Sequence, residues 1–254
     1  MRCWTPILLA ALAFGLAASL AHATEPRVRL HLVGDSTLSD KLPEKRPETG
    51  WGEPFATLFE PGAMVVVNHA RNGRSTRSFL AEGRWQAVLD AADAGDYVFL
   101  QFGHNDASAH KLDRYTPLPQ YRDNLARFVR EARAARLHPL LLTPVARRRF
   151  SDTGALESTH GDYPRVVREL AAELEVPLID AESLSSDLLS NAGPERSRLF
   201  FLHLARGEHP NYPQGLQDDT HFSPSGAAAV AERIALELRR QSHPLAAWLR
   251  TPSR

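Results

Sequence analysis

Val28-Arg29-Leu30-His31-Leu32-Val33-Gly34-Asp35-Ser36-Thr37 is the stretch from which the rest of the chain can be read. Val28, Leu30 and Leu32 alternate with other residues, as a half-buried strand requires, and Gly34 then permits a sharp exit from the sheet. Ser36 is thereby delivered to the carboxyl end of a strand, the edge where open α/β sheets bind ligands. Taken alone, a serine after Gly-Asp equally suits a turn cap, so the remaining chain must decide.

Working outward, four more apolar runs read as strands. Met64 to His69 and Tyr97 to Phe102 are continuously apolar over most of their length, the mark of strands buried on both faces. Leu140 to Thr143 and Val176 to Asp180 are shorter runs of the same kind. Between them, three-four spacing predicts helices: one carrying Phe79, Leu80, Trp85, Val88 and Leu89, one over 119–136, and one over 163–175. Ala181 to Leu189 and Arg198 to Leu204 are expected to be helical, separated by Gly193-Pro194. Ser223-Pro224-Ser225-Gly226 begins a last long helix with a serine cap and a proline in the first turn. Strands alternating with helices imply a parallel sheet covered on both faces.

The chain has 254 residues, 43% hydrophobic, with 30 Lys+Arg against 30 Asp+Glu. That length can bury one sizeable core, and the balanced charge leaves no electrostatic footprint for nucleic acid. Arg2, the apolar run Ile7 to Leu20 and Ala21-His22-Ala23 have the form of an export signal with its cleavage site. The expectation is a signal over 1–23 and a single domain over 24–254, periplasmic or extracellular, without membrane attachment after cleavage and monomeric. The one cysteine, Cys3, lies in that signal, which excludes thiol nucleophiles and cysteine-ligated metals from the mature chain.

Three strands end in polar residues beside a glycine: Gly34-Asp35-Ser36, Asn72-Gly73 after the second, and Gly103-His104-Asn105-Asp106 after the third. In a parallel sheet these ends share one edge. Asp218-Asp219-Thr220-His221 stands just before the final helix. Acyl transfer needs a nucleophile, a base, a group that orients the base, and donors for the oxyanion. Ser36 suits the first role, His221 the second and Asp218 the third, with adjacent Asp219 as the competing choice. The N–H groups of Ser36 and Gly73 and the amide of Asn105 suit an oxyanion hole. No Gly-x-Ser-x-Gly elbow and no His-x-x-x-His or His-Glu-x-x-His pair occurs, which disfavours an α/β-hydrolase and a zinc deacetylase.

Ser36, Gly73, Asn105 and His221 match the four residues for which the SGNH (GDSL-like) hydrolase superfamily is named, and from about Val28 to Leu238 the chain resembles that superfamily. Thr37 stands where leucine is commonest, a departure typical of its rhamnogalacturonan acetylesterase branch. Gly50-Trp51-Gly52, Phe102-Gly103-His104-Asn105-Asp106, Thr143 to Phe150 and Gly161-Asp162-Tyr163-Pro164 also look like that branch. The resemblance implies a flavodoxin-like three-layer α/β/α sandwich with a mainly parallel five-stranded sheet, no cofactor or metal, and deacetylation of pectic polysaccharide. Other expectations are xylan acetylesterase, lipolytic esterase or thioesterase activity, or a non-catalytic glycan-binding protein.

Independently of the family, Arg147-Arg148-Arg149 follows the fourth strand and so lies near the edge that carries Ser36. A solvated basic turn would look the same. The functional expectation is that at least one of the three binds uronate carboxylates of an acetylated acidic polysaccharide. Tyr163 is a candidate for stacking on a sugar ring, whereas Trp51 suits the core.

Overall fold

The computed structural model of the chain describes residue 1 and residues 28–251; the expected export signal, residue 1 apart, lies outside the described residues. Five strands form the central sheet: β1 (Arg29–Gly34), β2 (Val65–Asn68), β3 (Tyr97–Gln101), β4 (His138–Leu142) and β5 (Leu178–Ile179). Their order is β2-β1-β3-β4-β5 and every pairing is parallel. This is the flavodoxin-like order, in which the chain reverses its winding between β1 and β3 and opens a crevice at their carboxyl ends.

Alternation within the strands builds the two cores. Leu30, Leu32, Phe99, Leu140 and Leu142 face one side, where they meet α1 (Gly52–Ala56), α6 (Ala181–Arg196) and α7 (Pro224–Arg240). Val33, Val98, Leu100 and Leu141 face the other and meet α2 (Thr76–Ala81), α3 (Arg84–Ala91), α4 (Leu118–Ala134) and α5 (Tyr163–Glu173). The three-layer α/β/α sandwich expected from the sequence is the observed fold. No helix among the described residues is long and apolar enough to cross a membrane.

Five local expectations are corrected. β2, read as a strand buried on both faces, is exposed at Val65 and half-buried from Val66 to Asn68, because it lies at the sheet edge and pairs only with β1. β1 is buried on both faces from Leu30 onward, because His31 finds partners inside the molecule. The segment carrying Phe79 to Leu89 is two helices, split where Gly83 takes a left-handed φ of 68°. Arg198 to Leu204 is not a helix: a 3₁₀ turn over Ser197–Phe200 leads into β6 (Phe201–Leu204). Asp218 to His221, read as a segment just before a helix, belongs to β7 (Leu216–Phe222), which pairs antiparallel with β6 in a separate small sheet. The apolar residues of 198–204 are too few to separate the two periods, and the long-range partner decides.

Asp96 immediately precedes β3 at the amino-terminal edge of the sheet, where its Oδ1 accepts from the Arg29 N–H (2.8 Å) and its Oδ2 from the Asp93 N–H (2.9 Å). His31 Nε2 is 3.1 Å from Asp96 Oδ2, and His31 Nδ1 is 2.9 Å from His69 Nε2. With His31 donating to the carboxylate, its free nitrogen accepts from a neutral His69. Burial, and then the nearby His31, hold the His69 pKa down to about 4. A base depressed on folding binds fewer protons folded than unfolded, so its contribution is complete above about pH 6.5 and declines as pH falls toward 4. After discounting for partial exposure, the loss should be on the order of 1–2 kcal/mol. Urea midpoints measured from pH 7 to 4.5 should fall less steeply in His69→Gln than in the parent. Equal slopes would remove His69 from the acid response.

Candidate active site

β1 ends where Gly34 lies against β3: a Cβ there would sit 2.4 Å from the Gln101 carbonyl oxygen, so only glycine lets the two strands pair at this point. The chain then turns through Asp35, whose buried Oδ1 accepts from both the N–H and the hydroxyl of Thr37 at 2.9 Å. Gln101 Nε2 donates to Thr37 Oγ1 at 2.7 Å, and Gln101 Oε1 accepts from Trp51 Nε1, also at 2.7 Å. Thr37 therefore has a polar task that a leucine could not perform. Trp51 is fully buried, in agreement with its core assignment. Burial raises the Asp35 pKa, offset in part by the Thr37 hydrogen bonds.

Ser36 rides on this turn. Its Oγ is 2.9 Å from His221 Nε2, and His221 Nδ1 is 2.7 Å from Asp218 Oδ2. In a regular strand, residues three apart point to opposite faces. Here the β6–β7 register shifts: Phe201 pairs with Phe222 but Leu202 pairs with Asp218, so residues 219–221 bulge out. The bulge lets Asp218 Oδ1 collect the N–H groups of Thr220 (2.7 Å) and His221 (3.0 Å) while Oδ2 faces the imidazole. Burial raises the Asp218 pKa, but these contacts outweigh it and hold the carboxyl at about 2. Asp219 turns elsewhere, accepting from Arg148 Nη1 (2.8 Å) and lying 2.7 Å from His203 Nε2.

The loops after β2 and β3 are tied to each other and to the serine turn. Asn105 Nδ2 donates to the Arg74 carbonyl at 2.9 Å, which orients the amide and leaves its second N–H uncommitted. Asp106 accepts from the N–H (2.9 Å) and hydroxyl (2.6 Å) of Thr76 at the start of α2. Burial pushes the Asp106 carboxyl up to about 7. Gly73 holds a left-handed φ of 77° with Arg114 close enough that a Cβ would meet its Nη1 at 2.9 Å. Among the described residues, the backbone N–H groups of Ser36 and Gly73 donate to no group of the chain. Two free N–H groups and an oriented amide are what a developing oxyanion would take.

Sequence reasoning missed Lys41 and Glu48, which sit in a stretch that reads as a polar surface loop. Both are buried, with Lys41 Nζ 2.7 Å from Glu48 Oε1. The ammonium also donates to the Ser36 carbonyl, to Ser39 Oγ (3.1 Å) and to Asn72 Oδ1 (2.8 Å). It thus clamps the serine turn to the loop that carries Gly73. Only the burial of a charge that the sequence shows as ordinary could have revealed it.

The three arginines part company. Arg148 is engaged by Asp219, Ser197 Oγ and the Pro194 carbonyl, and Arg149 by Glu157. Arg147 donates to the His104 carbonyl at 3.2 Å. Tyr163 is corrected as a stacking candidate: it is 7% exposed, packs edge-on against Tyr121 and donates its hydroxyl to the Thr116 carbonyl at 2.6 Å. Its ring has no open face to offer a sugar. Among the described residues no cluster of three or more His, Cys, Asp or Glu side chains could hold a metal ion.

Residues 32–229 match the GDSL-like Lipase/Acylhydrolase family. The chain is 42% identical over 218 residues to the rhamnogalacturonan acetylesterase RhgT of Bacillus subtilis, covering 86% of this chain and 92% of RhgT. It is 35% identical over 217 residues to the same organism's probable rhamnogalacturonan acetylesterase YesY, covering 85% and 94% respectively. Among solved structures, that of B. subtilis YxiM superposes with a TM-score of 0.73 at 26% identity, covering 86% of this chain and 58% of YxiM.

Proposed function

The chain belongs to the GDSL-like lipase/acylhydrolase family, and from that membership we propose that it is a serine acetylesterase that removes O-acetyl groups from rhamnogalacturonan through an acetyl-serine intermediate. The observation that carries the chemistry is the unbroken chain from Ser36 Oγ through the His221 ring to the Asp218 carboxylate. The identity to RhgT and YesY supports the substrate.

In this reading Ser36 Oγ attacks the acetyl carbonyl while His221 Nε2 takes its proton. Asp218, anionic throughout, keeps the proton on Nδ1 and stabilises the imidazolium. The tetrahedral oxyanion takes the N–H groups of Ser36 and Gly73 and the Asn105 amide. His221 then protonates the departing sugar hydroxyl, and a water activated by the same imidazole cleaves acetyl-Ser36. Each proton and charge in the sequence has a residue of this chain to carry it.

A lipolytic enzyme would favour an apolar cleft, whereas the groove at Asp219, next to Asp218 in β7, is lined by Arg147, Arg148, Arg149, Glu157, Ser158 and Thr159. The deciding experiment measures acetate release from acetylated rhamnogalacturonan and acetylated xylan, and hydrolysis of 4-nitrophenyl esters of increasing acyl length. The highest kcat/KM is expected on rhamnogalacturonan, with activity falling as the acyl group grows beyond acetyl. A preference for xylan or for long acyl chains would replace the reading.

A further inference from the structure

Building on the acetylesterase reading, we propose that Arg147 is a carboxylate subsite that takes a uronate of the acetylated polysaccharide. Of the three consecutive arginines, Arg148 and Arg149 have carboxylate partners, Asp219 and Glu157. Among the described residues Arg147 has no carboxylate within ion-pair distance. Its one hydrogen bond, Nη2 to the His104 carbonyl at 3.2 Å, leaves most of the five N–H donors of a guanidinium unused.

The place of this cation is fixed from two sides. His104 precedes Asn105 in the loop after β3, and the Arg148 N–H donates to the Asp219 carbonyl at 2.9 Å, beside Asp218 in β7. Arg147 therefore holds the loop of the oxyanion amide, while the next residue, Arg148, ties the same segment to the strand of the His221–Asp218 pair. A groove of about 720 Å³ opens there, lined by Arg147, Arg149, Glu157, Thr159 and Asp219 among others.

The charges around Arg147 leave room for an incoming anion. Asp35 and Asp218 are the carboxylates whose field reaches it, and both are already committed, to Thr37 and to His221. His104 and His160, paired at 3.1 Å beside it, are kept neutral by burial and by Arg147 itself. A partly desolvated cation with spare donors gains most from a planar anion that accepts two parallel N–H bonds. A uronate carboxylate is that anion, and a polymer of neutral sugars has none.

The test uses acetylated galacturonate-containing polysaccharide as the free acid and the same polymer after methyl esterification of its carboxyl groups. The readout is the ratio of kcat/KM for the two forms, so a general loss of kcat in a variant cancels. The parent should favour the free acid roughly ten- to a hundred-fold, the range of one charge-assisted pair. Arg147→Gln should bring the ratio close to one. Arg147→Lys, which keeps the charge and loses the fork, should fall between them. A ratio in both variants equal to the parent's, or a parent that hydrolyses both forms equally, overturns the subsite and leaves the acetylesterase reading standing. A parent that releases acetate from neither form overturns the acetylesterase reading itself.

Discussion

Ser36→Ala should lower kcat by roughly 10⁵- to 10⁶-fold, the loss expected when the nucleophile of a hydrogen-bonded serine-imidazole-carboxylate unit is removed. The basis is the 2.9 Å contact to His221 and the 2.7 Å contact behind it to Asp218. Asp218→Asn keeps the shape but lets the imidazole settle in the wrong tautomer, and should cost about 10⁴-fold. Asp219→Asn should stay far closer to the parent, because that carboxylate serves Arg148 and His203. Steady-state kinetics on an acetyl ester, with a burst measurement for the acetyl-enzyme, reads all three. A Ser36→Ala enzyme within a hundred-fold of the parent, or an order of loss reversed between the two aspartates, would dismantle the assignment.

Lys41→Met should be the most destabilising of the substitutions considered, by about 3–5 kcal/mol, because it leaves Glu48 buried without its partner. For a domain of this size that corresponds to a fall in Tm of roughly 10 °C. The double variant Lys41→Met with Glu48→Leu removes both charges and should recover much of that stability, since an apolar pair of similar volume can replace a buried ion pair at little cost. Its kcat should remain low, however. The Ser36 carbonyl and Asn72 Oδ1 would still lack the donor that joins the serine turn to the Gly73 loop. Thermal unfolding and kcat together separate the two roles. A single variant that melts within about 2 °C of the parent shows that the clamp does not hold the fold.

The sheet was legible because four of its strands are short apolar runs and β1 alternates up to Gly34, and both patterns are local. Ser36, Gly73 and Asn105 were legible for the same reason: each follows a strand that the pattern marks, and parallel strands bring such ends to one edge. Gly34 and Thr37 needed the structure to explain them, through the Gln101 carbonyl in one case and the Gln101 side chain in the other. The Lys41–Glu48 clamp was hidden because a buried charge and a surface charge are the same letter. The three arginines read as one basic run, although only Arg147 is left without a carboxylate among the described residues.

By itself the sequence determined the α/β class, the sheet edge that carries the chemistry and the residue types gathered there. Hydrophobic period and glycine placement act over a few residues, and a few residues suffice to read them. The spacing already favoured Asp218 over Asp219, and the tertiary structure alone decided how two residues three apart in a strand come to face each other. That geometry depends on the bulge where β7 slips against β6, a register set by packing between segments far apart in the chain.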